Sequence, residues 1–178
     1  MPTVPTADEI LDRSFRRAAK KMAEKNNKER ANTDFVRAVG AAVHDRLVYI
    51  IRGFPEFEDL PPFYREMAEI LFGIDRLKQS LGAVGWAAKH TKMVGNQLVL
   101  QSRKADDTLV VRKRAVARLA SMVHQIDKDL RFLNEVRNVL RKLPNIEDTF
   151  TIVIAGYPNV GKSSFIRRVS SAEPEVAS

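Results

Sequence analysis

Residues 112–143 read RKRAVARLASMVHQIDKDLRFLNEVRNVLRKL, and this stretch decides the fold. Apolar side chains stand at Val116, Leu119, Val123, Ile126, Leu130, Leu133, Val136, Leu140 and Leu143, three or four positions apart for nearly four heptads. An α-helix turns once in 3.6 residues, so these positions line up on one face. The spacing predicts a single helix of ~35 residues, roughly 50 Å long at 1.5 Å per residue. Such a stripe must be covered by other helices, and an antiparallel bundle with long members is the natural architecture. Pro144 ends the run.

Upstream, the pattern supplies partners. Thr6 and Glu9 form a capping box that opens a helix over residues 7–25, rich in bases at Arg13, Arg16, Arg17, Lys20 and Lys21. The polar stretch 26–32 reads as a turn. A second helix is predicted from Asp34 to Arg52, with Phe35, Val36, Val39, Val43, Leu47, Ile50 and Ile51 as its apolar stripe, closed by Gly53 and Pro55. An acidic loop over 54–60 leads to Pro61-Pro62, which suit the entry to a short helix ending at Phe72-Gly73. A long helix follows from Ile74 to about Lys104, carrying Leu77, Leu81, Val84, Ala88 and Leu98. Its Gly82, Gly85 and Gly95 offer small surfaces for close helix contact beside a core Trp86. Asp106-Asp107 read as the start of the next helix. His44 and His124 lie within helical patterns and read as structural residues.

Downstream, the period changes. Residues 150–155, FTIVIA, form a short β-branched run that reads as a buried strand. It leads into Gly156-Tyr157-Pro158-Asn159-Val160-Gly161-Lys162-Ser163-Ser164, and residues 165–169, FIRRV, read as the start of a helix. Gly156, Gly161, Lys162 and Ser163 satisfy G-x-x-x-x-G-K-[ST], the Walker A loop. Four positions alone can match by chance; a strand directly before and a helix directly after make the match specific. The glycines let backbone amides approach phosphate oxygens. Lys162 is placed for the β- and γ-phosphates, Ser163 for Mg²⁺ and Ser164 for the α-phosphate, while the helix N-terminus adds a favourable dipole.

Composition narrows the classes. A hydrophobic content of 44% with 29% charged residues is that of a globular chain. There is no cysteine for a disulfide or thiolate site, and no apolar run approaches the roughly 18 residues of a membrane span. Met1 to Asp12 carries no secretory signal pattern, so a cytoplasmic protein is expected. The net charge of +8 favours an anionic partner. Of the charged residues, 27 basic and 20 acidic ones fall in 1–148. The basicity therefore belongs to the helical part, not to the phosphate loop.

The run Gly156 to Phe165 resembles the loop of Obg-like, translation-factor-class GTPases. Residues 4–9 (VPTADE), 54–64 (FPEFEDLPPFY) and the segment from 133–137 (LNEVR) through Leu143-Pro144 are similar to those of the nucleolar GTP-binding protein family. That resemblance covers nearly the whole chain, and a start almost at Met1 looks like an archaeal-type member. It implies a mainly α fold: a basic helical bundle over 1–148, followed over 149–178 by the first strand, P-loop and first helix of an incomplete α/β GTPase domain. It implies GTP/GDP and Mg²⁺ as ligands, bound through residues 156–164. The implied partners are large-subunit ribosomal RNA and a pre-ribosomal particle, with neither membrane nor DNA among them, and a eukaryotic source would place the protein in the nucleolus. In similar GTPases an asparagine at the position of Asn159 helps hold K⁺; the alternative is that its side chain only stabilises the turn.

The family's effector threonine, Asp-x-x-Gly and Asn-Lys-x-Asp do not follow Ser164. The chain as it stands is expected to be a fragment inactive in hydrolysis, with its catalytic residues unassigned. Arg16, Arg17, Lys20 and Lys21, with Arg112, Lys113, Arg114 and Arg118, are the candidates for RNA phosphate contact. Most charge runs are solvated helix faces, and these residues carry that second reading too. Aromatics at 7% show no stacking motif, which argues against single-stranded base reading. Charge reversal at Arg112, Lys113 and Arg114 is expected to spare the fold. A helical RNA- or protein-binding adaptor without nucleotide activity is the alternative function, and an ATP-using P-loop protein a weaker third.

Overall fold

A computed structural model of the chain describes residues 1–23, 28–102, 108–144 and 154–171. It is mainly helical, and the described residues contain no strand. The chain divides into two compact units, Met1–Pro144 and Asn145–Ser178.

The first unit is built from six helices: α1 (Ala7–Ala23), α2 (Lys28–Arg52), α3 (Pro62–Phe72), α4 (Ile74–Ser102), α5 (Thr108–Gln125) and α6 (Asp127–Leu140). The capping box forms as predicted: the Thr6 N–H donates to Glu9 Oε2 at 3.0 Å and the Glu9 N–H to Thr6 Oγ1 at 3.4 Å. Those bonds satisfy donors that the first turn of α1 leaves open. Between α2 and α3 the acidic loop holds one 3₁₀ turn, Phe57–Asp59, whose Phe57 enters the core. Pro62 stands at the first position of α3, where its missing N–H costs nothing.

Contacts fix the directions. Arg46 meets Thr3 while Phe15 stacks on Phe35, so α1 and α2 run antiparallel. His44 reaches the Ala88 carbonyl while Gly40 lies against Gly95, so α2 and α4 are antiparallel too. Met22 contacts Arg112 while Asp8 faces His124, which sets α5 antiparallel to α1. The core fills the space between them with Ile10, Val39, Val43, Leu47, Ile50, Leu77, Val84, Leu119, Val123, Leu130, Leu133 and Val136, all effectively inaccessible. At ~25 cal/mol per Å² this shared apolar burial is the main stabilising term of the unit.

Four expectations need correction. The predicted ~35-residue helix is two helices, α5 and α6, parted at Ile126, whose φ of −99° and ψ of 9° leave the helical region. Its N–H reaches back only three residues to Val123, and its carbonyl starts α6 by accepting from Leu130. The stripe survives because Ile126 itself stays buried. Secondly, α2 begins at Lys28 rather than Asp34, so part of the supposed turn is helix. Thirdly, Trp86 is not core: it is 44% exposed and stacks on His90, one turn away, with ring centroids 4.4 Å apart. Lastly, of the three α4 glycines only Gly95 meets a helix backbone, at Gly40, whereas Gly82 faces open space and Gly85 meets only the Ile51 side chain. Asp106-Asp107 and residues 150–153 of the predicted strand lie outside the described residues; Ile154 and Ala155 are in no regular element.

In the second unit the described part is the loop 154–161 and α7 (Lys162–Val169), with Phe165 and Val169 exposed on the helix. Among the described residues no helix is long and apolar enough to cross a membrane.

Candidate functional site

The candidate phosphate loop takes its shape from two residues with left-handed backbone. Gly161, at φ 87°, is the residue before α7, and only glycine adopts that conformation without strain. Asn159, at φ 62°, is the sole non-glycine among the described residues with positive φ. Asparagine tolerates this region because its short polar side chain has little steric conflict there. Together they turn the chain sharply enough to bring Lys162 back over the loop.

Lys162 Nζ donates to two loop carbonyls, Gly156 O at 2.9 Å and Tyr157 O at 2.6 Å. The ammonium is thus folded back onto the start of the loop. A Cβ built on Gly156 would stand 3.7 Å from Lys162 Cδ, so the lysine stem lies along the glycine backbone. Ser163 is partly exposed and Ser164 exposed, both in that first turn. Tyr157 and Val160 point outward, 85% and 62% exposed. The loop thus offers a cation, a helix N-terminus and two hydroxyls in the first turn of that helix, parts suited to a polyphosphate. Among the described residues no group of His, Asp and Glu is placed to hold a metal by itself.

The basic candidates of the helical unit separate into classes. Arg16 is tied to Asp12 one turn earlier, at 3.0 and 2.9 Å. Arg17 and Lys20 are exposed on α1, and Lys113, Arg114 and Arg118 on α5; the side chain of Lys21 lies outside the described set. Arg112 differs from all of these. Its guanidinium lies 4.1 Å above the Phe35 ring, donates to Asn32 Oδ1 at 3.1 Å and contacts Met22 Sδ at 3.5 Å. It joins α5 to α1 and α2, so reversing its charge would break contacts between helices, a cost the sequence did not show. Sequence reasoning also missed Arg46, which shares a cleft with Arg13 and Arg17. The i, i+4 spacing of Arg13 and Arg17 was visible; the approach of Arg46 from another helix was not.

His44 is partly buried, with Nδ1 2.9 Å from the Ala88 carbonyl, and His124 is half-exposed, 3.6 Å from Asp8. Both are structural, as expected.

Comparison with known sequences agrees with this division. Residues 1–147 match the family described as NOG1 N-terminal helical domain, and residues 151–178 match that described as 50S ribosome-binding GTPase. An uncharacterized protein, MJ1408, of Methanocaldococcus jannaschii is 36% identical over 189 residues, covering 100% of this chain and 54% of that protein. Nucleolar GTP-binding protein 1 of Encephalitozoon cuniculi is 35% identical over 145 residues, 79% of this chain and 28% of that one. The protein of the same name in Kluyveromyces lactis is 31% identical over 187 residues, 99% of this chain and 29% of that one. The chain thus spans about half the length of the archaeal relative and under a third of the two nucleolar ones.

Proposed function

The chain belongs to the nucleolar GTP-binding protein family, and from that premise we propose that it is the nucleotide-loop and helical-domain part of a GTPase acting in large ribosomal subunit assembly. The observation that carries this reading is the position of Lys162, folded back onto the start of the loop from the head of α7. A bound GTP or GDP would present its phosphates to this ammonium and to the loop amides. Binding then substitutes phosphate oxygens for the carbonyls that now accept from Nζ. Mg²⁺ takes oxygen ligands in near-octahedral geometry, and the Ser163 hydroxyl, partly exposed beside the loop, fits as one of them. A bound Mg²⁺ would neutralise phosphate charge; this chain contributes that single hydroxyl. Asn159, already in the left-handed turn that presents its side chain on the loop, would serve K⁺.

The helical unit would dock on ribosomal RNA through Arg17, Lys20, Lys113, Arg114 and Arg118, whose exposed cations suit contact with phosphates by charge and shape. Relatives named for the nucleolus support this setting, since that name places them where ribosomes are assembled. An adaptor without nucleotide activity would need the loop to be incidental, and the left-handed turns at Asn159 and Gly161 favour the nucleotide reading.

The test is nucleotide binding by the full product of the natural gene. GTP and GDP should bind in preference to ATP, and Lys162→Ala should abolish binding within the range measured. Equal affinity for ATP, or unchanged GTP affinity in the variant, would refute the reading.

A further inference from the structure

Arg13 and Arg17 stand one turn apart on the same face of α1, and both are exposed. Facing them from α2 is Arg46. These three, with Pro5, Ile10, Ser14 and Ala42, wall a cleft of about 180 Å³ between the two helices. No carboxylate lines it. The neighbouring acids are engaged or turned elsewhere: Asp12 pairs with Arg16, Glu9 accepts from the Thr6 N–H, and Asp45 lines a different cleft with Arg37 and Lys92. Elsewhere in this unit Arg16, Arg37 and Arg131 each have an acidic partner on their own helix. Among the described residues Arg13, Arg17 and Arg46 have none.

Arg46 is also held in place. Its Nη2 donates to the Thr3 carbonyl at 2.8 Å, and the guanidinium lies 5.3 Å from the centre of the Tyr49 ring. An arginine fixed in this way loses little freedom on binding an anion. The Ser14 hydroxyl gives its proton to the Ile10 carbonyl at 2.7 Å, so the donors offered to a ligand are the guanidinium groups alone. The floor of Pro5, Ile10 and Ala42 is apolar and strengthens their field. The volume is below the roughly 300–1,000 Å³ of sites that enclose whole small molecules. It suits a compact anionic group projecting from a larger chain.

We infer that this three-arginine cleft between α1 and α2 seats a phosphodiester group of an RNA strand. The inference rests on the proposed docking of the helical unit on RNA and names where one phosphate is held. Guanidinium forks match phosphate oxygens two at a time, so the cleft fixes the register of the strand as well as adding affinity.

The experiment uses the 178-residue chain and a labelled double-stranded RNA stem, titrated at several salt concentrations. Arg13→Gln with Arg17→Gln is compared with Arg65→Gln and Lys128→Gln, an equal charge change at positions outside the cleft. The cleft pair should lose about tenfold in affinity at low salt, with the log–log salt slope reduced by about one to two, as expected when phosphate contacts disappear. The control pair should lose less than about threefold, as a change in bulk field alone would. Arg13→Lys with Arg17→Lys, which keeps the charge, should recover most of the salt slope. Unchanged helical circular dichroism in the Gln pair shows that the fold is kept. Equal losses in the cleft and control pairs overturn the cleft while leaving RNA docking standing. Failure of the unaltered chain to bind RNA overturns the docking itself, and the cleft with it.

Discussion

Asp127, the first residue of α6 after the break at Ile126, does two jobs. Its Oδ1 accepts the Ala7 N–H at 2.8 Å, and its Oδ2 accepts from Arg131 Nε at 2.6 Å. Ala7 is fully buried at the first position of α1, where no carbonyl within the helix can reach its N–H. Substituting Asp127→Ala leaves that donor buried without a partner, a loss of about 1–3 kcal/mol. Loss of the largely exposed Arg131 pair, screened by solvent, adds little. A loss of about 1–3 kcal/mol corresponds to a fall in Tm of roughly 2–12 °C for a chain of this size. Asp127→Asn keeps an oxygen for the Ala7 N–H and should cost about 1 kcal/mol, by loss of the charge alone.

The same geometry fixes the pH dependence. The Ala7 N–H first, and then the Arg131 guanidinium, hold the Asp127 carboxyl below its ordinary value. A carboxyl whose pKa is lower in the folded state contributes stability above its unfolded pKa of about 3.9, and that contribution is lost as pH falls through the folded value. The difference between wild type and Asp127→Ala should therefore be widest near neutral pH and narrow below about pH 4. Thermal unfolding followed by circular dichroism between neutral and acidic pH measures both. A neutral-pH difference under about 0.5 kcal/mol, within the scatter of ordinary surface substitutions, would refute the capping role. A difference that stays constant down to acid would refute the charge argument.

Gly53→Ala should destabilise by about 1–2 kcal/mol, because its Cβ would stand 2.0 Å from Pro2 Cδ and push out a terminal segment held by Arg46 and Arg137 at Thr3; chemical denaturation measures it. Arg112→Ala should cost about 1–2 kcal/mol through loss of its Phe35 and Asn32 contacts, whereas Lys113→Ala should change stability by less than about 0.5 kcal/mol. The full GTPase should hydrolyse GTP faster in K⁺ than in Na⁺, with the difference erased in Asn159→Ala; a wild-type rate indifferent to the ion would exclude the K⁺ role.

Much of the bundle was legible because its signals are local and periodic. The Thr6–Glu9 cap, the proline entry at Pro62 and the apolar stripes of α5 and of α6 each depend on spacing within one helix, and spacing is what a sequence displays. The break at Ile126 was invisible for a matching reason. Ile126 keeps the three-four rhythm, since its side chain stays in the core while only its backbone leaves the helix. The partner that accompanies the break, the Ala7 N–H on Asp127, lies 120 residues away along the chain. Trp86 was misplaced by the opposite error. The sequence reading placed it in the core, but the stripe of α4 that enters the core runs through Leu77, Val84 and Ala88, and Trp86 falls off it onto the side of His90.

The site divides in the same way. Every residue of the phosphate loop is contiguous, so the motif by itself names Lys162 and Ser163. The basic surface has no such contiguity, and a run of charges says little about which cations are free. Arg112, Lys113 and Arg114 look equivalent as text. In the fold, Arg112 turns inward onto Phe35 and cements three helices, while its two neighbours stay in solvent. Arg46, one of several charged residues of α2 and featureless in sequence, becomes the third wall of a cleft because α2 runs antiparallel to α1 and brings it opposite Arg13 and Arg17. A basic helical domain is thus read as an anion-binding surface only after its internal cations are subtracted. What remains is a smaller and more specific set than the net charge suggests.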